Sequence, residues 1–134
     1  MTYIAQGTSP GPVNVYNPVA LGDKTVAGGM TIISESGVDK YVIPKDGCYS
    51  LNFISTYVYQ DGGPSLNWMI DHQSSSEKIE HQLNGKERQV FYDKKLLQAN
   101  DKVWLSTYKN GGSPSNFSAD NMHTSLIFVG DTCS

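Results

Sequence analysis

Three histidines, His72, His81 and His123, are the side chains in this sequence best suited to proton transfer or metal binding near neutral pH. Their spacing matches neither HxH nor HExxH, so zinc sites of those types are not indicated. Asp71 precedes His72, but a strand end entering a polar loop explains this pair better than a catalytic dyad does. A Ser-His-Asp triad assembles in space and not in sequence, yet no serine stands in a G-x-S-x-G elbow. The sequence therefore predicts a protein that is not an enzyme.

Several aspartates fall at predicted strand ends or in loops: Asp61, Asp71, Asp93, Asp101, Asp120 and Asp131. Turn formation accounts for aspartate at such positions, because its side chain bonds nearby backbone groups. Loop carboxylates are also ligands that Ca²⁺ prefers, although no EF-hand pattern is present. We therefore expect no cofactor, with a Ca²⁺ site built from loop oxygens as the alternative.

Aromatic side chains flank two predicted loops that also carry Asn and Asp. Rings can stack on sugar faces while amides and carboxylates bond the hydroxyls, so this combination favours saccharide binding. The predicted ligand-binding residues are Tyr59, Asp61, Tyr108, Asn110 and Trp104. Trp68 lies within an apolar strand and is predicted to be core. Trp104 alternates with Val103 and Leu105, so it faces either the core, an interface or solvent.

Composition and charge limit the class of protein. The chain has 134 residues, of which 38% are hydrophobic and 17% charged, and its net charge is -3. This size suits one domain with one core. The ten Lys and Arg are scattered, so the basic patch that nucleic acid binding needs is missing. No apolar run approaches the ~20 residues that span a bilayer, and we expect neither a nucleic-acid partner nor membrane insertion.

Turn residues interrupt short apolar runs along the chain, which is typical of an all-β protein. The runs give about eight to ten strands, and no segment keeps an apolar period of about 3.6 residues, which indicates a sandwich or barrel. Residues 1–12 are rich in Gly, Pro, Ser and Thr and are predicted to be a flexible lead-in or stalk end. Residues 13–134 are predicted to form a single domain.

Three segments resemble the jelly rolls of the C1q and TNF-like family. Residues 40–53 (KYVIPKDGCYSLNF) resemble its strand, Pro- and Gly-containing turn and long following strand. Residues 96–105 (LLQANDKVWL) resemble the hairpin that precedes its late strands, and residues 125–130 (SLIFVG) resemble its closing strand. The order and spacing of these segments match the family from about residue 30 onward.

The resemblance implies a two-sheet antiparallel jelly roll that forms a compact homotrimer and works by binding. It places Ser50, Asn52, Thr124 and His123 near the trimer axis, where polar residues would make the axis wet. The partner would be a cell-surface receptor, either a glycan or a protein. The first residues have neither a basic start nor an apolar stretch, so we expect them to be a stalk end and not a signal peptide. These features favour a receptor-binding head on a phage or viral fibre, at the virion surface or outside the cell. A secreted C1q-like recognition module and a purely structural trimerisation or capsid-decoration domain are the alternatives.

The resemblance also implies a pairing of the two cysteines. In the jelly-roll topology the strand that begins at Cys48 and the final strand are antiparallel neighbours. Cys133 follows the final strand, so it would lie beside Cys48, within reach of a disulfide. Such a bond would hold the C-terminus against the sheet. Two free thiols are the alternative, and they would be expected in a reducing cytosol.

Overall fold

The computed structural model describes residues 4–8, 13–14, 23–61, 65–82, 87–108, 116–120 and 123–134. Within these ranges the regular structure is β-strand, and none of these residues form a helix long and apolar enough to cross a membrane. The predicted all-β class is therefore confirmed. The strands are β1 (Ile4–Thr8), β2 (Val13–Asn14), β3 (Asp23–Ala27), β4 (Thr31–Glu35), β5 (Val38–Val42), β6 (Gly47–Asp61), β7 (Ser65–Asp71), β8 (Ser76–Gln82), β9 (Glu87–Leu97), β10 (Lys102–Tyr108), β11 (Asn116–Asp120) and β12 (His123–Gly130).

The strands form two antiparallel sheets. The front sheet has the order β2-β11-β6-β12-β1-β3, with β9 also paired to β6, and the back sheet has the order β4-β5-β10-β7-β8. The long β6 organises the front sheet, because its first part pairs with β9 and β12 and its last part pairs with β11. Many paired strands are distant in sequence, so the two sheets can be built only after the whole chain has come together.

The core lies between the two sheets. In β6, Tyr49, Leu51 and Phe53 point inward and alternate with Ser50 and Asn52, because successive side chains of a strand point to opposite faces. The buried hydrophobic residues are Met30, Tyr41, Ile43, Tyr49, Leu51, Phe53, Leu66, Trp68, Ile70, Leu97, Val103, Leu105 and Leu126. Trp68 is thus a core residue, as predicted.

One buried hydrogen bond links the two sheets directly. The hydroxyl oxygens of Tyr41 in β5 and Thr124 in β12 lie 2.7 Å apart. Burial raises the pKa of Tyr41 to about 12, so its phenol stays neutral at physiological pH. The bond therefore gives the buried Tyr41 hydroxyl a hydrogen-bond partner inside the core.

Part of the predicted lead-in belongs to the front sheet. Within residues 1–12, the strand β1 pairs antiparallel with β12 on one side and with β3 on the other. Apolar and polar residues do not alternate clearly in this segment, so the sequence alone does not indicate a strand here. The strand pairs through backbone N–H and C=O groups, which every residue except proline supplies in full. The remaining residues of this range, 1–3 and 9–12, lie outside the described part of the chain.

The start of β6 and the end of β12 are joined by a disulfide. The Cα atoms of Cys48 and Cys133 lie 5.1 Å apart and their sulfurs are bonded, which is the pairing that the jelly-roll resemblance implies. Gly47 lets the two strands approach closely. A Cβ at this position would lie 2.4 Å from Cε2 of Phe128 and 2.9 Å from the carbonyl oxygen of Gly130.

Candidate functional site

An open pocket of about 400 Å³ lies at one end of the back sheet. Strand ends and two turns form its walls: the end of β4, the end of β7 with the turn that follows, and the turn from β9 into β10. Rigid strands that hold short polar turns are a common setting for recognition sites. The lining residues are Glu35, Asp71, His72, Gln73, Gln98, Ala99, Asn100, Asp101 and Lys102.

A network of opposite charges covers the back sheet beside this pocket. Lys40 Nζ lies 3.1 Å from Asp71 Oδ2 and 3.3 Å from Glu35 Oε1, and Lys102 Nζ lies 2.8 Å from Glu35 Oε2. Burial disfavours the charged amine of Lys40, but its bonds to Asp71 and Glu35 outweigh this and hold its pKa above its usual range. The hydrogen bond from Lys102, and then that from Lys40, lowers the pKa of Glu35. Lys40 therefore remains a cation and cannot act as a nucleophile.

Trp104 belongs to this network and not to the core. Its indole Nε1 donates to Asp71 Oδ2 over 3.0 Å, and Lys40 Nζ lies 5.3 Å from its ring centroid. Asp71 lines the pocket, so Trp104 borders the pocket through this carboxylate. Its half-buried ring points away from the core, and a ligand role for it remains a prediction.

His72 bridges two carboxylates at the pocket wall. Its Nε2 lies 2.7 Å from Glu77 Oε2, and its Nδ1 lies 3.0 Å from Asp101 Oδ2. The hydrogen bond to Glu77 raises the pKa of His72; burial opposes this, and the bond to Asp101 adds to it. With a carboxylate against each ring nitrogen, His72 has no nitrogen left to accept a proton from a substrate. Its partners are Glu77 and Asp101 and not the neighbouring Asp71.

Carboxylates considered as Ca²⁺ ligands are committed to other donors. Asp71 accepts from Lys40 and Trp104, Asp101 accepts from His72, and Asp93 lies 2.6 Å from a nitrogen of His81. Among the residues that the structure describes, no group of three or more His, Cys, Asp or Glu side chains is arranged to hold a metal ion. The Ca²⁺ alternative gains no support from these three carboxylates.

The strands that carry four of the predicted ligand-binding residues are described by the structure. Tyr59 and Asp61 lie at the end of β6, and Tyr108 is the last residue of β10. The pocket lies beside the first residue of β10, about 20 Å of strand away from Tyr108. Trp104 is not itself a lining residue and reaches the pocket wall through its hydrogen bond to Asp71. The side chains of Tyr59, Asp61 and Tyr108 lie outside the described part of the structure, as does the whole of Asn110, so their binding roles stay predictions.

Polar residues predicted at the trimer axis lie on the outer face of the front sheet, which points away from the core. Ser50 Oγ donates to Asn52 Oδ1 over 2.8 Å, and Asn52 Nδ2 donates to Ser125 Oγ over 3.0 Å. His123 is exposed at the start of β12. These side chains form a polar row whose hydrogen bonds are largely made within the chain.

Thr124 does not share that face, and its predicted place at a trimer axis stays a prediction. It is 2% exposed, and its hydroxyl bonds Tyr41 of the back sheet. Because neighbouring residues of a strand point to opposite faces, Thr124 points inward with Leu126 while His123 points outward. These two adjacent residues therefore lie on opposite faces of the front sheet.

Large apolar side chains on the same outer face were missed by the sequence reasoning. Tyr92 is 66% exposed and Leu96 58% exposed, both in β9. Half-buried Ile54 and Ile127 lie beside the polar row. The signal that would have found them is the pattern of β9, which carries apolar residues on both faces whereas a strand with one solvated face alternates.

Comparison with known proteins identifies the fold. No protein-family model matches the chain, and no curated protein matches its sequence. Among solved structures, Eiger TNF from S. frugiperda is 11% identical with a TM-score of 0.64, covering 98% of this chain and 93% of that chain. Murine APRIL at pH 8.0 is 9% identical with a TM-score of 0.64, covering 96% of this chain and 100% of that chain. The predicted two-sheet TNF-like jelly roll is confirmed.

Proposed function

We propose that this protein is a homotrimeric receptor-binding head that recognises a cell-surface glycan or protein. The observation that carries the proposal is the outer face of the front sheet, where exposed Tyr92 and Leu96 lie beside the polar row of Ser50, Asn52 and Ser125. Exposed apolar side chains on one sheet face mark an interaction surface, because covering them removes apolar area from water.

A second copy of the chain is the proposed occupant of this face. The polar row can be buried at low cost, because its groups already hydrogen-bond one another. In a cyclic assembly every subunit makes the same contacts, so this face is covered on each of them. The resemblance to the C1q and TNF-like family implies a trimer as the closed form, and the likeness of the fold to Eiger TNF and APRIL supports that resemblance.

Leu96→Asp and Tyr92→Asp should each convert the trimer to monomers, because assembly would bury an unpaired carboxylate. Analytical ultracentrifugation or light scattering at micromolar protein measures the change. Ser76→Asp is the matched control: it adds the same charge to an exposed strand position on β8 of the back sheet, and it should leave the trimer intact. A wild-type protein that is monomeric at this concentration would overturn the proposal.

The proposed ligand surfaces lie at the two ends of the sandwich: the pocket with Trp104, and the strand ends with Tyr59, Asp61, Tyr108 and Asn110. Trp104→Ala should weaken ligand binding about tenfold, the usual scale for a central aromatic contact. A glycan array and binding of soluble protein to intact cells measure this. Tyr59→Ala and Tyr108→Ala test the opposite end in the same assays, and unchanged binding in all three variants would remove these aromatic contacts from the proposal.

The proposed setting is the tip of a phage or viral fibre, at the virion surface. The disulfide supports an extracellular or virion-surface location, since such bonds persist in oxidising surroundings. A secreted C1q-like recognition module is the first alternative. A structural trimerisation or capsid-decoration domain is the second, and a stable trimer that binds neither glycans nor cells would favour it.

A further inference from the structure

One side of the sandwich is closed by side chains. Here β8, the edge strand of the back sheet, faces β9 of the front sheet. Lys95 Nζ lies 2.5 Å from Glu77 Oε1, and His81 Nε2 lies 2.6 Å from Asp93 Oδ2. The His81 ring also stacks on Phe91, with centroids 4.2 Å apart. Ionisable groups therefore hold these two strands together.

His72 lies at the pocket end of these contacts between β8 and β9. It connects them to the turn between β9 and β10. Its Nε2 meets Glu77, which Lys95 also binds, and its Nδ1 meets Asp101. The same Asp101 Oδ2 accepts the backbone N–H of Gln98 over 2.8 Å. One chain of contacts thus runs from β9 through β8 and His72 into the turn that forms the pocket rim.

This arrangement needs a protonated imidazole. Both ring nitrogens face carboxylate oxygens, which only accept hydrogen bonds, and only the imidazolium can donate from both nitrogens. The neutral ring keeps one N–H and turns a lone pair toward the other carboxylate. Loss of the proton therefore replaces an attraction with a repulsion at either Glu77 or Asp101.

We infer that His72 is a pH-sensitive clasp that ties the turn of residues 98–101, and with it the pocket rim, to β8 when protonated and loses this link to β8 when neutral. The turn is held on its other side by residues 43–46: Asn100 N donates to the Ile43 carbonyl over 2.7 Å, Ile43 N donates to the Asp101 carbonyl over 2.9 Å, and Ala99 N donates to Asp46 Oδ1 over 2.8 Å. These three bonds do not involve His72, so the clasp controls the contact between the turn and β8 and not the position of the turn against residues 43–46. The clasp follows from contacts within the subunit and does not depend on the proposed receptor.

The charges around His72 give its protonated form a net acidic environment. Three carboxylates lie close to it: Glu77 from β8, Asp101 from the turn and the adjacent Asp71 of β7. Two cations lie farther away. Lys95 of β9 binds the far side of Glu77, and Lys102 of β10 lines the pocket and is paired with Glu35. Each cation among them is bound to a carboxylate, so none stands directly against the imidazolium.

The clasp has a defined pH window. The pKa of His72 is raised above 6.5, so its contribution to stability is complete below 6.5 and is lost as the pH rises through the folded-state pKa. The pKa of Glu77 is lowered below 4.5, first by its bond from Lys95 and then by that from His72. Its contribution is complete above 4.5 and is lost as the pH falls through the folded-state value. Both partners are charged between these limits.

A double-mutant cycle of His72→Gln and Glu77→Gln tests the clasp, with urea unfolding at about pH 5.5 and about pH 8.5. We expect the two substitutions to be coupled at the lower pH and nearly additive at the higher pH. Glu80→Gln is the matched control, since it removes an exposed carboxylate from the opposite face of β8; its effect should be the same at both. Equal coupling at the two pH values would show a structural contact and overturn the inference.

Amide NMR of the wild-type protein supplies an independent readout that needs no variant to fold. The Gln98 amide should titrate with the same midpoint as the His72 ring, and in His72→Gln this transition should disappear. The Gly37 amide, in the turn between β4 and β5, serves as the reference and should not follow that midpoint. A Gln98 signal that stays flat while the His72 ring titrates would overturn the clasp.

Discussion

Removing the Cys48–Cys133 disulfide should lower the free energy of unfolding by about 4–5 kcal/mol in the chain-entropy model. The bond links residues 85 positions apart, so the oxidised unfolded chain is far more restricted than the reduced one. It also ties the segment after β12 to the start of β6. Urea unfolding of Cys48→Ala/Cys133→Ala against the oxidised wild type measures the loss.

The alanine pair is preferable to a serine pair for this test. Cys48 is fully buried, and a serine hydroxyl there would add the cost of an unsatisfied polar group. Wild-type protein treated with a thiol reductant should lose about as much stability as the alanine variant. Two titratable thiols per unreduced chain under denaturant would contradict the bond itself.

Trp68→Ala should lower the free energy of unfolding by about 3–5 kcal/mol, the range for truncating a fully buried aromatic residue. Trp68 is 1% exposed and lies in the core cluster between the sheets. Trp104→Ala removes the other tryptophan of the chain. It should cost only about 1 kcal/mol, since it loses one hydrogen bond and a half-buried ring contact.

Trp68→Phe, measured in the same urea experiment, separates the contribution of the buried ring to stability from the effect of the indole N–H. Among the described residues, the buried Nε1 of Trp68 has no hydrogen-bond partner, so removing it relieves an unsatisfied donor while the smaller ring leaves some space. We expect a loss below about 1.5 kcal/mol, typical of swaps that nearly conserve core volume. A larger effect at Trp104 than at Trp68 would contradict the assignment of core and surface.

Local patterns in the sequence predict much of the fold. Alternation and turn residues around Pro44 and Gly47 define the long strand β6 and its aromatic core face. The resemblance to a jelly roll predicts that Cys48 lies beside Cys133. In that fold the strand that begins at Cys48 and the final strand are antiparallel neighbours, so the start of one lies beside the end of the other. The predicted ligand-binding residues stay a prediction, since residues that flank loops can be recognised locally while the position of each loop in space cannot.

The sequence by itself determined the all-β class, the strand-and-turn pattern and the core role of Trp68, because these depend on propensity and on alternation over a few residues. Tertiary structure alone decided that Thr124 bonds Tyr41 across the sheets, 83 residues away, and that His72 meets Asp101, 29 residues away. It also decided that β1 enters the front sheet and that Tyr92 stays exposed on its outer face. Such contacts depend on which distant strands become neighbours, and no local pattern encodes that choice.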